Sequence, residues 1–320
     1  MATIDILLST YNGEKYLTQL IDSLLGQSYK DWRLVIRDDG SSDRTLDIIS
    51  GYIQCHHHRI VLMADDLGSI GPAASFGKLL TYAKAPWVMF CDQDDVWLEH
   101  KILISLTKME QMQEQWGQLT PLLVFTDSEI CTADLKPVGS LHSQMKIDIE
   151  RAFLFKNLIL RNVIFGHSIM INQVLVKLSV PMPNKAYMHD WWAGIIAAAY
   201  GKIAYVPEVT TLYRQHETNA YGYNRITLMD CLVNFPVRYK KYMLHQEHVY
   251  RQIQAFTERF ECDGLAAEGE ILPILRQIFQ LAHLDKLHPW KRLMFLFNFY
   301  QDCAYKEKVL ADMLFYYDFS

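Results

Sequence analysis

The chain has 320 residues, of which 50% are hydrophobic and 21% are charged, a balance that is typical of globular domains. Its net charge of -5 argues against nucleic acid as the main partner. No signal peptide and no membrane-spanning apolar segment are predicted. The cysteines are scattered without a C-x-x-C pair, which predicts reduced thiols in a cytoplasmic protein: Cys55, Cys91, Cys131, Cys231, Cys262 and Cys303.

The first part of the chain predicts strands and helices in alternation. Strands are predicted at 4–8, 33–37, 60–63 and 87–91, separated by segments in which apolar residues recur at helical spacing. The last of these helices, 72–83, has a proline in its first turn. Such alternation predicts an α/β fold with a mostly parallel sheet and helices on both faces.

Beyond residue 121 the pattern changes. Further strands are predicted at 122–126, 168–171 and 203–206, with a helix at 190–200. Beyond about residue 223 only helical periodicity remains, in segments at 227–234, 239–260, 266–283 and 289–317. We therefore predict an α/β domain over 1–222 and a helical C-terminal region over 223–320.

An acidic cluster follows the fourth strand. Asp92, Asp94 and Asp95 lie close together at its carboxyl end. Ligands of open α/β sheets bind at the carboxyl ends of strands, and crowded carboxylates repel one another unless a cation lies between them. The cluster therefore predicts a hard divalent metal that also holds phosphate oxygens. The alternative is a loop that caps the helix beginning near Glu99.

Polar residues also follow the first two strands. Thr10 and Tyr11 combine a small hydroxyl with an aromatic ring, which suits a nucleotide base and ribose, although a turn with a helix cap is equally open. Asp38 and Asp39 exceed the needs of a helix cap. Because a carboxylate can accept the N3–H of uracil or thymine, this pair predicts selection of a pyrimidine.

Two later motifs add charged groups. Asp190 is flanked by His189 and Trp191, and a partly apolar cleft would raise its pKa toward that of a general base; an N-cap is the alternative. Arg214 suits a diphosphate, and His216 suits a metal site; for these two a surface turn is the alternative.

These motifs, together and in this order, resemble the family 2 glycosyltransferases with a GT-A fold. The matching segments are STYNGEKYL at 9–17, RDDGSSDRT at 37–45, CDQDDVW at 91–97, MHDWW at 188–192 and YRQH at 213–216. The DQDDVW, HDWW and LYRQH variants look most like bacterial rhamnosyltransferases, which use dTDP-β-L-rhamnose to build cell-wall or O-antigen polysaccharides. A UDP-hexose donor, or a non-catalytic sugar-binding protein of the same fold, is the alternative.

The resemblance implies a role for each matched residue. The donor nucleotide would contact Thr10, Tyr11, Asp39, Asp92 and Arg214. The donor sugar and the acceptor would be bordered by Gly166, His167, His189 and Trp191. Mg²⁺ or Mn²⁺ would bind Asp94 and His216, and Asp190 would be the catalytic base of an inverting transfer.

The segment 290–300 is apolar and aromatic and has Lys291 and Arg292 at its start. It favours an interfacial helix at the inner face of the plasma membrane, where a polyprenyl-diphosphate-linked saccharide acceptor would lie. The alternative is a helix that packs on the catalytic domain or in a homodimer.

Overall fold

The structure is a computed structural model that describes residues 3–145, 147–216 and 235–262, with the side chains of the last range described at 244, 245 and 247–260. The chain divides into two compact units, the first formed by 1–146, 164–182 and 188–214, and the second by 147–163, 183–187 and 215–320. The predicted boundary near 222, the predicted helices at 227–234, 266–283 and 289–317, and the apolar segment 290–300 lie outside the described residues.

The first unit is built on one sheet with the strand order β3-β2-β1-β4-β8-β6-β9-β5, and β7 pairs with β6. Its strands are β1 (Ile4–Thr10), β2 (Trp32–Asp38), β3 (Ile60–Leu62), β4 (Trp87–Cys91), β5 (Val96–Trp97), β6 (Leu122–Cys131), β7 (Pro137–Ser140), β8 (Ile169–Asn172) and β9 (Lys202–Arg214). The first four strands pair in parallel. Strand β8 then runs antiparallel between β4 and β6, and β9 is parallel to β6.

Helices cover this sheet and also occur in the described part of the second unit. The first unit contains α1 (Leu17–Leu25), α2 (Thr45–His56), α3 (Pro72–Tyr82), α4 (Lys101–Trp116), α5 (Leu141–Met145), α8 (Gln173–Ser179) and α9 (His189–Tyr200). The second contains α6 (Ile149–Ala152), α7 (Phe155–Leu158) and α10 (Phe235–Cys262), within which the predicted helix 239–260 falls. Within the described residues, no helix has both the length and the apolar character needed to cross a membrane.

The predicted α/β architecture is confirmed, and its physical basis is visible in β4. All five residues of β4 are buried, as expected for a central strand covered on both faces. Helix α1 buries Leu17, Leu20, Ile21 and Leu24, which recur at helical spacing along one side.

Two strands run further than the apolar pattern predicts. Strand β6 continues past Thr126 to Cys131, and its polar residues Asp127 and Ser128 are buried in mid-strand. Strand β9 pairs with it as far as Arg214, so that Tyr213 and Arg214 lie in a strand. The alternative of a surface turn is therefore wrong for these two residues.

The junction between α9 and β9 is closely packed. A Cβ atom on Gly201 would lie 2.0 Å from the carbonyl oxygen of Pro121, a distance that only glycine permits. The next residue, Lys202, donates its backbone N–H to the same carbonyl at 2.9 Å. Helix α9 therefore ends where the chain touches the start of β6.

A buried carboxylate also lies near the amino ends of the first strands. Asp5 is 1% exposed and accepts hydrogen bonds from Nε and Nη2 of Arg33, each at 2.9 Å. It also accepts the backbone N–H groups of Lys84 at 2.7 Å and Ala85 at 3.0 Å. Its charge is thus balanced by a guanidinium and two backbone dipoles.

Candidate active site

The predicted site residues of the first three motifs come together at one edge of the sheet. Strands β1, β2 and β4 are parallel and in register, with Thr10 beside Asp38 and Leu8 beside Cys91. The loops that follow these strands therefore emerge side by side, as ligand-binding loops do in open α/β sheets.

The end of β1 presents one exposed aromatic ring. Thr10 is fully buried and donates its hydroxyl to Oδ1 of Asp38 at 2.8 Å. Tyr11, the next residue, is 54% exposed. Of the two residues predicted to line a base pocket, Tyr11 thus offers a surface to a ligand, whereas Thr10 ties β1 to β2.

Asp39 is bonded to the loop that precedes α3. Its carboxylate accepts from Nη1 of Arg37 at 2.6 Å, from the Ser69 hydroxyl at 3.1 Å, and from the backbone N–H groups of Ile70 at 2.8 Å and Gly71 at 2.9 Å. Burial acts to raise the pKa of Asp39, but these hydrogen bonds bring it below its ordinary value. Because both oxygens already have partners, the predicted contact with a base would require one of these bonds to exchange, and it stays a prediction.

The acidic cluster faces a buried histidine. Nδ1 of His167 lies 3.7 Å from Oδ2 of Asp92 and 3.8 Å from Oδ2 of Asp95. One potential ligand atom from each of these three residues lies within 4.8 Å of the others. Asp95 is fully buried, and its Oδ2 atom has no hydrogen-bond partner among the described residues. A buried carboxylate oxygen without a partner is costly.

The electrostatics of the cluster suit a cation. Burial and the charges of Asp94 and Asp92 raise the pKa of Asp95 well above its ordinary value. Burial also lowers the pKa of His167, so that the imidazole is neutral and able to ligate a metal through Nδ1. Nε2 of His167 lies 2.9 Å from the Ser128 hydroxyl, which fixes the ring. Two carboxylates and one imidazole are suitable donors for a divalent ion such as Mn²⁺.

This group differs from the ligands that the resemblance implies, Asp94 and His216. The side chain of Asp94 is partly buried beside the cluster. His216 is partly buried and belongs to the second unit. Ligation of a metal by Asp94 and His216 stays a prediction, and the described geometry adds Asp95 and His167 as candidate ligands.

A buried lysine beneath the cluster was missed by the sequence reasoning. The Nζ atom of Lys101 donates to the carbonyl of His167 at 2.8 Å and to the hydroxyl of Thr211, and it lies 4.6 Å from the centre of the Trp97 ring. Burial lowers the pKa of Lys101 to about 7. A sequence signal existed, because Lys101, Ser105 and Met109 recur at helical spacing on the buried side of α4.

Asp190 lies in the first turn of α9 and is 7% exposed. Its Oδ2 accepts the backbone N–H of Gly166 at 3.0 Å, and its Oδ1 accepts that of Trp191 at 2.6 Å. Gly166 and His167 begin a short 3₁₀ turn, Gly166–Ser168. Adjacent residues of one turn therefore touch the predicted base and face the acidic cluster.

His189 is buried between aromatic rings. Its ring stacks on Phe76 with 3.8 Å between centroids and meets the edge of Phe90 at 4.6 Å. Neither ring nitrogen has a hydrogen-bond partner among the described residues. Burial lowers the pKa of His189 to about 4, which keeps the imidazole neutral. A Cβ atom on Gly166 would lie 2.9 Å from Nε2 of His189, so glycine allows this close approach.

The remaining predicted residues hold the site together. Trp191 is 2% exposed and contributes to the core, and its contact with a ligand stays a prediction. Arg214 is also 2% exposed, and its guanidinium donates to the carbonyls of Asp94 at 2.8 Å and Ala133 at 2.5 Å and to Oε1 of Gln19 at 2.6 Å. This geometry favours a positioning role for Arg214 over direct contact with a diphosphate.

Comparison with known proteins places residues 5–117 in a recognised domain: they match the profile of the family Glycosyl transferase family 2. The chain is 29% identical over 134 residues to the putative glycosyltransferase EpsE of Bacillus subtilis, covering 42% of this chain and 48% of EpsE. It is 30% identical over 106 residues to an Escherichia coli protein named UDP-Glc:alpha-D-GlcNAc-diphosphoundecaprenol beta-1,3-glucosyltransferase WfgD, covering 33% of this chain and 40% of WfgD. The chain thus spans less than half of the length of either relative in these matches.

Among solved structures, the fold is similar to that of S. aureus TarS residues 1–349 in complex with UDP-GlcNAc. The TM-score is 0.57 at 16% identity, covering 97% of this chain and 83% of that one. At this identity the likeness shows the fold, and the predicted GT-A fold is confirmed.

Proposed function

We propose that this chain, whose residues 5–117 match the Glycosyl transferase family 2 profile, is a metal-dependent, inverting glycosyltransferase of cell-wall polysaccharide synthesis. One observation carries the proposal: the turn Gly166–Ser168 joins Asp190, through the N–H of Gly166, to the acidic cluster, which faces His167. A group able to take a proton and a group able to hold a charged leaving group are thus held by one short segment.

In this proposal Asp190 is the general base. Its carboxylate is fixed by two backbone N–H groups, so that a lone pair has a defined direction toward an acceptor hydroxyl. It removes the hydroxyl proton as the oxygen attacks the anomeric carbon of the donor. A single displacement inverts that carbon, as in single-displacement glycosidases.

The acidic cluster would hold the donor diphosphate through Mg²⁺ or Mn²⁺. The Oδ2 atom of Asp95, which has no hydrogen-bond partner in the described part of the chain, and the ring of His167, fixed by Ser128, support this fit. Two ligand sets compete, Asp92 with Asp95 and His167, or Asp94 with His216. When bound, the ion would act as a Lewis acid that neutralises charge on the departing nucleotide.

For the donor we propose dTDP-β-L-rhamnose, which inversion would convert to an α-L-rhamnoside. The support for rhamnose is the DQDDVW, HDWW and LYRQH motifs alone. A UDP-hexose is the alternative donor. WfgD is named for UDP-Glc, and the TarS structure contains UDP-GlcNAc, which supports testing both nucleotides.

The acceptor in this proposal is a saccharide on a polyprenyl diphosphate. The name of WfgD includes a diphosphoundecaprenol acceptor, and this likeness supports the same acceptor class here. Such an acceptor would bring the chain to the inner face of the plasma membrane as a peripheral protein. Packing of the C-terminal region in a homodimer remains the alternative use of that region.

The test is a nucleotide-release assay with dTDP-rhamnose, UDP-glucose, UDP-galactose and UDP-N-acetylglucosamine, each with and without EDTA. We expect one donor to give acceptor-dependent release that EDTA abolishes and Mn²⁺ or Mg²⁺ restores. Sugar binding without transfer for every donor would instead favour a non-catalytic protein. Release that is insensitive to EDTA would remove the metal from the proposal.

A further inference from the structure

The residue between Asp92 and Asp94 makes a pair of hydrogen bonds that its motif does not predict. Oε1 of Gln93 accepts the backbone N–H of Tyr11 at 2.9 Å, and Nε2 of Gln93 donates to the carbonyl of Tyr11 at 2.9 Å. The side-chain amide thus pairs with one residue of a distant loop as a neighbouring β-strand residue would. The bonds join the loop after β4 to the loop after β1.

This pair of bonds fixes the conformation of Tyr11. Its N–H belongs to the peptide plane before its Cα atom, and its carbonyl belongs to the plane after it. Because peptide groups are planar, holding both groups restrains φ and ψ of Tyr11 and hence the direction of its Cα–Cβ bond. The half-exposed Tyr11 ring is thereby aimed by a residue of the acidic loop.

The next residues of the same loop are tied elsewhere. The backbone N–H of Asn12 is bonded to the Ser41 hydroxyl at 2.9 Å, and that of Gly13 is bonded to the Thr45 hydroxyl at 2.8 Å. These bonds lead to the segment that follows β2. Within residues 11–13, Tyr11 is therefore the residue whose backbone Gln93 links to the acidic loop.

Gly13 makes room for the Gln93 amide. A Cβ atom on Gly13 would lie 2.5 Å from Oε1 and 2.9 Å from Cδ of Gln93. The φ angle of Gly13 lies outside the left-handed region, so an alanine there is compatible with the backbone. The amide of Gln93 is the nearest group that an alanine would displace.

We propose that Gln93 is a positioning residue that locks the Tyr11 loop to the acidic loop, so that the surface for the nucleoside and the site for the diphosphate form one rigid unit. The inference rests on the proposed function, because it names how the nucleotide part of the donor is received. Gln93 is not one of the candidate metal ligands, and both polar atoms of its side-chain amide are bonded to the backbone of Tyr11.

A double-mutant cycle tests this inference with Gln93→Ala, Gly13→Ala and the two combined. Isothermal titration with UDP and with dTDP in the presence of Mn²⁺ gives Kd for each protein. For the nucleotide that binds the wild type, we expect Kd to rise about tenfold in each single variant, as loss of two hydrogen bonds would cause. The combined variant should be no weaker than Gln93→Ala, because the amide that the added methyl group would displace is then gone. In the transfer assay the KM for the donor should rise while kcat changes little.

Matched controls exclude general effects of the substitutions. A Cβ atom on Gly51, in α2, would meet none of the described residues within 4 Å, and Gln115 is exposed in α4. Gly51→Ala and Gln115→Ala should bind nucleotide as the wild type does. Hydrogen exchange of the segment containing Tyr11 should be faster in Gln93→Ala than in either control.

Two results would overturn the inference while leaving the proposed function in place. One is an unchanged Kd and KM in Gln93→Ala. The other is that Gly13→Ala raises Kd by the same factor whether residue 93 is glutamine or alanine. If the wild type binds neither nucleotide, the proposed function fails, and the inference that rests on it fails too. Hydrogen exchange then separates the two failures, since unchanged exchange in Gln93→Ala would show that the lock itself is absent.

Discussion

Buried carboxylates at the two ends of the parallel strands differ in how fully they are hydrogen-bonded. Near the amino ends, Asp5 is 1% exposed and receives hydrogen bonds from Arg33, Lys84 and Ala85. At the carboxyl ends, Asp95 is fully buried, yet its Oδ2 atom has no partner among the described residues. Both residues are buried aspartates, one in β1 and one in the loop after β4, so their surroundings make the difference.

This contrast separates stability from function. A satisfied buried ion pair is costly to break, because removal of one partner leaves a charge without compensation. An unsatisfied group costs folding free energy in every molecule, which is tolerable where a ligand later completes the bonds. Asp5 is a satisfied group of the first kind, whereas Asp95 and His189 each contain an unsatisfied polar atom among the described residues.

The largest effect is expected at the carboxyl end. Asp190→Asn keeps the shape and an acceptor oxygen but removes the base, so kcat should fall about 10²–10⁴-fold while donor Kd stays within about twofold. Initial rates of product formation and nucleotide titration measure these quantities. Asp47→Asn, an exposed acid in the first turn of α2, is the matched control and should be fully active. Near-normal turnover in Asp190→Asn would show that another group is the base.

At the opposite end the expected effect is on stability. Asp5→Asn leaves Arg33 without its carboxylate partner, so the free energy of unfolding should fall by about 3 kcal/mol. Chemical denaturation measures this change. The folded fraction should retain the kcat and KM of the wild type. Loss of activity in fully folded Asp5→Asn would show that the amino end of the strands contributes to activity as well as to stability.

Asp95→Asn should show the reverse pattern. The pKa of Asp95 is raised in the folded protein, whereas the same carboxyl group ionises near pH 4 in the unfolded chain. Above about pH 4 its burial therefore opposes folding, and a neutral amide should leave stability unchanged or higher. Metal affinity and metal-dependent activity should fall about 10–100-fold if Asp95 belongs to the metal site. Titration with Mn²⁺ measures the affinity.

The same titration with His167→Ala, Asp94→Asn and His216→Ala assigns the ligand set. Weak binding in Asp95→Asn and His167→Ala with normal binding in His216→Ala would favour the cluster of Asp92, Asp95 and His167. The opposite pattern would support the ligands implied by the family resemblance.

The smallest effect concerns pH. The pKa of His189 is about 4 in the folded protein, below the value of about 6.5 for an unfolded histidine. Between these values the unfolded chain binds more protons, so stability is present above pH 6.5 and falls as pH decreases, by about 1.4 kcal/mol per pH unit. From pH 6.5 to 5, wild type should lose about 2 kcal/mol more than His189→Leu.

Paired denaturation curves at the two pH values measure this difference. The exposed His57→Leu serves as the control and should follow the wild type. Equal acid sensitivity in wild type and His189→Leu would mean that His189 has a partner in solution and does not belong with Asp95.

The sequence predicted the parallel half of the sheet well because its strands are continuous apolar runs, of which β4 is the clearest. It predicted the region from β6 onward less well because buried polar residues there interrupt the apolar pattern. Asp127, Ser128 and Thr211 are all buried in strands, and each has a polar or charged partner that only the fold supplies.

The same reason limits the prediction of the site. Motifs pointed to the segments that carry Tyr11, Asp92 and Asp190, because chemistry restricts the residue types there. They could not reveal that Lys101 lies beneath the acidic cluster, or that both oxygens of Asp39 are already bonded, because partners distant in sequence decide these facts.

The length of helix α9 fixes the position of Asp190 relative to the start of β9. Its first turn carries Asp190, and its last turn ends at Gly201, which cannot move away from Pro121 without losing the start of the β6–β9 pairing. Each residue inserted into an α-helix adds about 1.5 Å and about 100° of rotation. A single insertion within α9 would therefore turn the carboxylate of Asp190 away from Gly166, whereas length changes in the loop before His189 would leave it in place.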